Sequence, residues 1–303
     1  MNRAQLKQLA VGCGKGGTGK TSLVASFAAL ADDIVLADCD VDAANLHLLL
    51  HPRIEQREEF RGAQVVVRNP ERCQGAGECE RLCRFTAITR ARVDSHACQG
   101  CGLCIVACPH QALRLETVAC GEIYTSVSDY GPMAHARLYP GGESSGKLVT
   151  EVRRRAESLA VEAEHPLLLI DGPPGIGCAA TAAIADVDAV MVVTEPTPAG
   201  RHDLQRILEL IGYFGIPAAV VLNKADLDAE NAQAIREDCR LLPVPVIAEI
   251  PFDATVTRAI TAGRPLVEYD NGPASQAVRS AWEAVQRLVE DIPPARLCET
   301  LSR

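Results

Sequence analysis

Gly14-Lys15-Gly16-Gly17-Thr18-Gly19-Lys20-Thr21 is the stretch that decides the fold. It matches G-x-x-x-x-G-K-[ST] and stands where that pattern needs to stand. A short apolar run at 8–12 before it reads as a strand, and an Ala-rich stretch at 20–31 after it reads as a helix. The glycines let backbone N–H groups turn inward around phosphate oxygens, and the helix N-terminus adds its positive end. Lys20 is placed to reach the β- and γ-phosphates, and the Thr21 hydroxyl to hold Mg²⁺. A glycine-rich structural turn is the plainer alternative, and the flanking strand and helix argue against it.

Outward from this loop the chain alternates. Ile34–Asp38 reads as a second buried strand ending in acids. The alternation then stops, and from about residue 57 to 116 the chain is basic, polar and rich in cysteine. Later, 167–171, Ala189–Thr194, Ala218–Asn223 and Val246–Ile250 are short Val/Ile/Leu runs bounded by Pro, Gly or Asp, as buried parallel strands are. Helical stretches at 146–164, 202–213, Ala229–Leu241 and 274–290 separate or follow them. This order predicts an α/β chain with a doubly wound, mostly parallel sheet, built from 1–56 and 117–303. Residues 57–116 are expected to form an inserted α+β domain after the second strand.

Composition narrows the function. A hydrophobic share of 48% over 303 residues suffices for a packed core, and with only 4% aromatics Ala, Val, Leu and Ile must fill it. A net charge of −9 argues against a general nucleic-acid or anionic-membrane binder. The N-terminus lacks signal-peptide character and no apolar run is long enough to span a bilayer, so a cytoplasmic chain without integral membrane association is expected. Thirteen cysteines are too many for incidental core residues, and seven of them fall between Cys73 and Cys108. In a cytoplasmic chain such clustering points to metal ligation rather than disulfides.

The string from Lys15 to Thr21 resembles the deviant Walker A loop of the MinD/ParA/nitrogenase-iron-protein superfamily, the CobQ/CobB/MinD/ParA nucleotide-binding domains and the Mrp-like ATPases among them. The resemblance implies that Lys15 crosses a dimer interface to the partner's nucleotide, acting as an arginine finger does. It also implies ATP and Mg²⁺ as ligands and slow, dimer-dependent hydrolysis. Asp38-Cys39-Asp40-Val41-Asp42-Ala43-Ala44-Asn45-Leu46 is similar to switch I of that family. By that likeness Asp40 would orient or deprotonate the attacking water, and Asp38 would sit near Mg²⁺. Asp171-Gly172-Pro173-Pro174-Gly175 is similar to the Walker B/switch II segment, with Asp171 facing the Mg²⁺ water shell. Each acid taken singly also reads as a solvated strand end. Asn223-Lys224-Ala225-Asp226 resembles the base-recognition tetrad of GTPases, which leaves GTP open; the deviant loop favours ATP, with Pro251 as a wall for the base.

The second cysteine run, Cys98-x2-Cys101-x2-Cys104-x3-Cys108-Pro109, has the spacing of bacterial ferredoxins, in which the fourth cysteine serves the other cluster. By that rule Cys83, Cys98, Cys101 and Cys104 form a complete [4Fe–4S] set. Cys73, Cys79 and Cys108 are left as an incomplete one, because Ala76 stands where its fourth cysteine belongs. That second site then holds a [3Fe–4S] cluster, a labile [4Fe–4S] cluster with an open iron, or nothing. Zinc is the competing metal. Cys13, Cys39, Cys120, Cys239 and Cys298 read as small packed residues. Cys178, shortly after Asp171, matches a cluster-binding cysteine of the nitrogenase iron protein and is a candidate for an interface cluster or a packing residue. The later part has no C-x-C or C-x-x-C of the kind cluster carriers of the superfamily use. Segments 131–136 and 141–147 resemble the loops after the insert in MinD-type ATPases containing a ferredoxin domain; His135 within the first reads as structural, and no role is derived for Lys147.

Two functions remain. One is a nucleotide-driven homodimer, or heterodimer with a related ATPase, that gates electron transfer or metallocluster delivery to a partner. The other is an ATP-dependent assembly or positioning scaffold with structural or sensory clusters. Helix 274–290 reads as a docking helix rather than a basic membrane anchor.

Overall fold

The computed structural model describes residues 5–142 and 145–291. In chain order its first elements are β1 (Lys7–Cys13), α1 (Lys20–Ala28), β2 (Ile34–Asp38), α2 (His47–Leu50), β3 (Arg53–Arg68), α3 (Glu78–Leu82), β4 (Ile88–Thr89), β5 (Arg92–Val93), α4 (Leu103–Ala107), β6 (Leu113–Ser128) and β7 (Gly131–Leu138). There follow α5 (Ser145–Ala163), β8 (Leu167–Pro174), α6 (Cys178–Ile184), β9 (Ala189–Thr194), α7 (Pro198–Phe214), β10 (Ala218–Asn223), α8 (Ala229–Leu241), β11 (Val246–Ile250), α9 (Ala254–Thr261), α10 (Leu266–Tyr269) and α11 (Pro273–Asp291). Contacts divide the chain into two compact units. The first holds the described residues of Met1–Arg57, Ile123–Arg137 and Ser145–Arg303; the second holds those of Glu58–Glu122 and Leu138–Ser144. The divisions at residues 57/58 and 122/123 fall inside the long strands β3 and β6.

The strand order is β11-β10-β9-β1-β8-β2-β7-β6-β3. β1 runs parallel to both β8 and β9, β2 to β7 and β8, and β10 to β9 and β11. β2 and β9 are buried at every position, which is why they read as unbroken apolar runs: helices cover both faces of a parallel sheet. The order reverses at β1, and the crevice at the C-terminal end of such a switch point is where α/β sheets bind ligands. Register then fixes the chemistry: Asp38 pairs with Asp171 on one side and with His135 on the other. Leu9, Phe27, Leu36, Leu169 and Met191 fill the core with no exposure.

Several expectations change. Segment 131–136 is not a loop: Met133, Ala134 and Ala136 are fully buried in β7, paired with β2. Its small residues and Pro132 hid a strand that burial, not propensity, makes. α7 begins at Pro198 rather than at 202, because the Thr197 side chain caps it by accepting from the Gly200 N–H, with proline in the first turn. Helix α11 is no free docking element. Val278, Trp282 and Val285 bury against α1 and β11, with the Trp282 ring 5.1 Å from that of Phe27. Arg153, in the charged middle of α5, is buried and caps α6: it donates to the carbonyls of Ala182 at 2.8 Å and Ala185 at 2.5 Å. Among the described residues no helix is long and apolar enough to cross a membrane.

The second unit has a small core of Val66, Ile88, Cys104 and Leu113, with Cys79, Cys83, Cys98 and Cys108 packed on it. Helices α3 and α4 repeat one local design. Each has five residues, follows a left-handed glycine (Gly77 φ 78°, Gly102 φ 75°) and ends on an extended cysteine, Cys83 or Cys108.

Candidate functional site: a phosphate loop and a cysteine cradle

In the first unit a cavity of about 610 Å³ is lined by Gly16, Gly17, Thr18, Gly19, Lys20 and Thr21, by Asp40, Ala43 and Asn45 of the following loop, and by Pro174 beyond β8. Gly19 opens α1 at φ 92°, and a Cβ there would meet the Asn223 amide at 2.4 Å. A Cβ on Gly14 would meet the backbone carbonyl of Asp203 at 2.6 Å, so β1 can hand over to the loop beside α7 only through glycine.

Lys20 and Asp171 form a buried ion pair at the floor of this cavity, 5% and 1% exposed. The other Asp171 oxygen accepts from the Thr21 hydroxyl at 2.8 Å. Burial alone would lower the Lys20 pKa, but the adjacent Asp171 carboxylate outweighs it and holds the ammonium above its ordinary value. Asp38 is fully buried and accepts from the N–H groups of Asp40 at 3.1 Å and Leu46 at 3.2 Å, so its carboxylate shapes the 38–46 loop. Burial first, then the Asp171 charge, pushes its pKa up to about 8. Asp40 lines the cavity, and burial raises its pKa as well.

Lys15 does not line this cavity. Its ammonium lies 2.6 Å from Glu195 and 3.3 Å from the Thr197 hydroxyl. The second Glu195 oxygen takes Lys224 at 2.7 Å, and Lys224 also donates to the Gly17 carbonyl at 3.1 Å. Burial tends to raise the Glu195 pKa, yet the hydrogen bonds from Lys15 and Lys224 bring it below the usual carboxylate range. Asn223 donates its amide to the Thr18 carbonyl at 2.7 Å, and Asp226 accepts from the Phe252 N–H at 2.6 Å, next to Pro251. Asn223 and Lys224 thus brace the loop, while Asp226 fixes the turn after β11. Glu195 escaped the sequence reading, which took Lys224 only as a member of the 223–226 tetrad; the available signal was an acid one residue past a buried strand adjoining β1.

In the second unit Cys73, Cys79, Cys108 and Ala76 line one cavity of about 280 Å³, together with Arg68 and His110. Cys98 and Cys108 each accept a backbone N–H, from Val66 and Ala112, both at 3.4 Å. Cys104 senses Cys98, Cys101 and also Cys79 of the other expected set, and Cys79 senses Cys108 and Cys73; burial is the main reason both thiols are raised. Cys83 packs on the same small core. Among the described residues no three His, Cys, Asp or Glu side chains converge on a point that a single metal ion could occupy. Cys13, Cys39, Cys120 and Cys239 are buried, and Cys178 is exposed at the start of α6. Cys298 lies outside the described residues.

The model of the CobQ/CobB/MinD/ParA nucleotide binding domain matches residues 9–266. The chain belongs to that family and is an ATPase. An uncharacterized Methanocaldococcus jannaschii protein is 29% identical to this ATPase over 94% of the chain and 98% of its own length. A putative septum site-determining protein MinD of Mesostigma viride is 25% identical over 88% and 78%. Among solved structures, the septum site-determining protein MinD complexed with Mg-ADP from Pyrococcus horikoshii shares the fold at a TM-score of 0.57 and 17% identity, covering 96% of this chain and 100% of that one. The ParA family ATPase of Chlorobium tepidum does so at 0.53 and 14%, covering 92% and 98%.

Proposed function

We propose that this ATPase is a Mg-ATP-driven dimer switch whose second unit carries iron–sulfur clusters, and that nucleotide turnover gates electron transfer or cluster delivery to a partner protein. The observation that carries the reading is the pairing, on one chain, of a phosphate loop with a unit that holds the seven-cysteine run from Cys73 to Cys108, five of which (Cys79, Cys83, Cys98, Cys104 and Cys108) gather on one small core. In the nucleotide site Lys20 would hold the phosphates and Thr21 the Mg²⁺ ion, in place of their present contacts with Asp171, and Asp38, Asp40 and Asp171 would be the acids beside that ion. Lys15, parked on Glu195 away from its own cavity, is free to serve a second copy's nucleotide.

The cysteines fit clusters better than zinc. The second run, Cys98-x2-Cys101-x2-Cys104-x3-Cys108-Pro109, keeps the uniform spacing and Cys-Pro ending of bacterial ferredoxins rather than the paired spacing of zinc sites. A four-iron cluster gives each thiolate its own iron and so spreads them apart. N–H groups on the Cys98 and Cys108 sulfurs are the bonds that stabilise thiolate character. Cys83, Cys98, Cys101 and Cys104 would hold one [4Fe–4S] cluster, and Cys73, Cys79 and Cys108 a second, incompletely ligated one. Bound clusters would supply one-electron storage. Cys178 is kept as the candidate ligand for a cluster shared between two copies.

Anaerobic reconstitution followed by redox titration without nucleotide, with Mg-ADP and with a non-hydrolysable ATP analogue tests the proposal. A nucleotide-dependent shift in cluster potential is expected; about 59 mV for one electron equals a tenfold difference in nucleotide affinity between redox states. Identical potentials in all three states leave the second reading, an ATP-dependent positioning scaffold, which is favoured by the name of the Mesostigma viride relative.

A further inference from the structure

The first unit holds another cavity, about 400 Å³, that shares Ala43 and Asn45 with the nucleotide cavity and reaches away from the phosphate loop. A column of rings walls it. Tyr124 stacks on His135 at 4.9 Å between centroids, and His135 on His47 at 6.3 Å with 12° between planes. His135 is buried and its Nε2 is satisfied by the Ser126 hydroxyl at 2.8 Å. His47 Nδ1 is buried without a hydrogen-bond partner. The Arg137 guanidinium also lines the cavity and makes no hydrogen bond or ion pair with a described residue. Asp42 is the one acid in the lining; it is exposed, on the loop at the rim.

This is a set of donors waiting for acceptors. A guanidinium fork matches the two oxygens of a carboxylate or phosphate. A buried ring nitrogen without a partner is a cost that a ligand acceptor removes. The volume lies within the range of about 300–1,000 Å³ typical of small-molecule sites. We propose that this cavity binds a small molecule bearing a carboxylate or phosphate group, gripped by Arg137 and His47, and that its occupancy is coupled to nucleotide binding through the Ala43–Asn45 turn. That turn is short and internally tied: the Ala43 N–H donates to the Asp40 carbonyl at 3.1 Å, and Asp38 holds both Asp40 and Leu46. A ligand that fixes the turn from one side relieves the nucleotide of part of the cost of fixing it from the other, and the coupling acts equally in both directions.

Calorimetric titration of malonate and, separately, inorganic phosphate into the full chain saturated with Mg-ADP tests this with the phosphate loop already filled. At least one probe is expected to bind once per chain, weakened about tenfold or more by Arg137→Ala and by His47→Ala. Arg137→Ala without probe should keep its ADP affinity, which serves as the control for folding. In the wild type, ADP affinity should differ with and without bound probe, and Arg137→Ala should abolish that difference. Binding of neither probe, or binding that survives Arg137→Ala, overturns the site; equal ADP affinities with and without probe overturn the coupling.

Discussion

Lys15 Nζ lies 2.6 Å from a Glu195 oxygen, so the lysine that marks the deviant phosphate loop is tied to an acid of its own chain and absent from the lining of its own nucleotide cavity. A group in that position contributes little to binding in its own chain and is available to stabilise charge in another. Lys15→Ala should therefore leave equilibrium ATP binding within about twofold, while turnover falls by ~10³ or more, as for removal of a finger residue. Steady-state hydrolysis and equilibrium binding read the two effects separately. Equal losses in both would mean that Lys15 acts on its own chain's nucleotide.

Glu195 carries a second load. Through Lys224 it reaches the Gly17 carbonyl, so it stiffens the loop that must present its N–H groups to phosphate. Glu195→Gln and Lys224→Ala should each weaken nucleotide binding by about tenfold, the equivalent of one lost charge-assisted hydrogen bond. Lys15→Ala should not. A bracing role is excluded if both variants bind ATP as the wild type does.

The Lys20–Asp171 pair is nearly sealed from solvent. Removing one partner leaves the other as an uncompensated buried charge, at a cost of about 3–5 kcal/mol. Lys20→Met and Asp171→Leu should each lower stability by that order, and the double variant by much less than the sum. Denaturant unfolding around the full cycle measures the coupling; strict additivity would show that the two side chains do not depend on each other.

What the sequence disclosed and what it hid divide along physical lines. The phosphate loop was legible because backbone geometry there demands glycine at fixed spacing, and Gly19 at φ 92° is such a demand. The parallel strands were legible because burial on both faces leaves unbroken apolar runs. β7 was not, because Ala134 and Ala136 are small rather than β-branched and its place beside β2 comes from a distant part of the chain. Glu195 was hidden for a similar reason: its partners Lys15 and Lys224 lie far from it in sequence and meet it only through the strand order β10-β9-β1. Asn223 and Asp226, expected from resemblance to face the base, also hold the Thr18 carbonyl and the Phe252 N–H; residue type and order did not disclose those contacts.

His135 gives a pH signature. Burial, then the neighbouring His47, holds its pKa at about 4 against an ordinary 6.5. Between those values the unfolded chain takes up a proton that the native one refuses, so stability falls as pH drops from about 6.5 toward 4. The full effect is about 3 kcal/mol at most. Urea unfolding of the wild type and of His135→Gln at several pH values should show a shallower acid loss in the variant. Parallel pH curves would exclude His135 as a source of acid lability.

Ala76 is the most exacting position in the second unit. It lines the same cavity as Cys73, Cys79 and Cys108, and its methyl group offers no lone pair to an iron. Cys120 does not replace it: that cysteine is 3% exposed and is not part of the cavity lining. Under the proposed cluster assignment, this site takes either three irons or four with one position open. Reconstituted wild type should bind about seven to eight irons per chain, with the second site the more labile of the two. It should show an oxidised-state EPR signal of the three-iron type, or gain one on mild oxidation. Ala76→Cys supplies the missing thiolate, so it should remove that signal and bring the count to about eight. About four irons per chain in both wild type and Ala76→Cys would mean that Cys73, Cys79 and Cys108 serve packing alone.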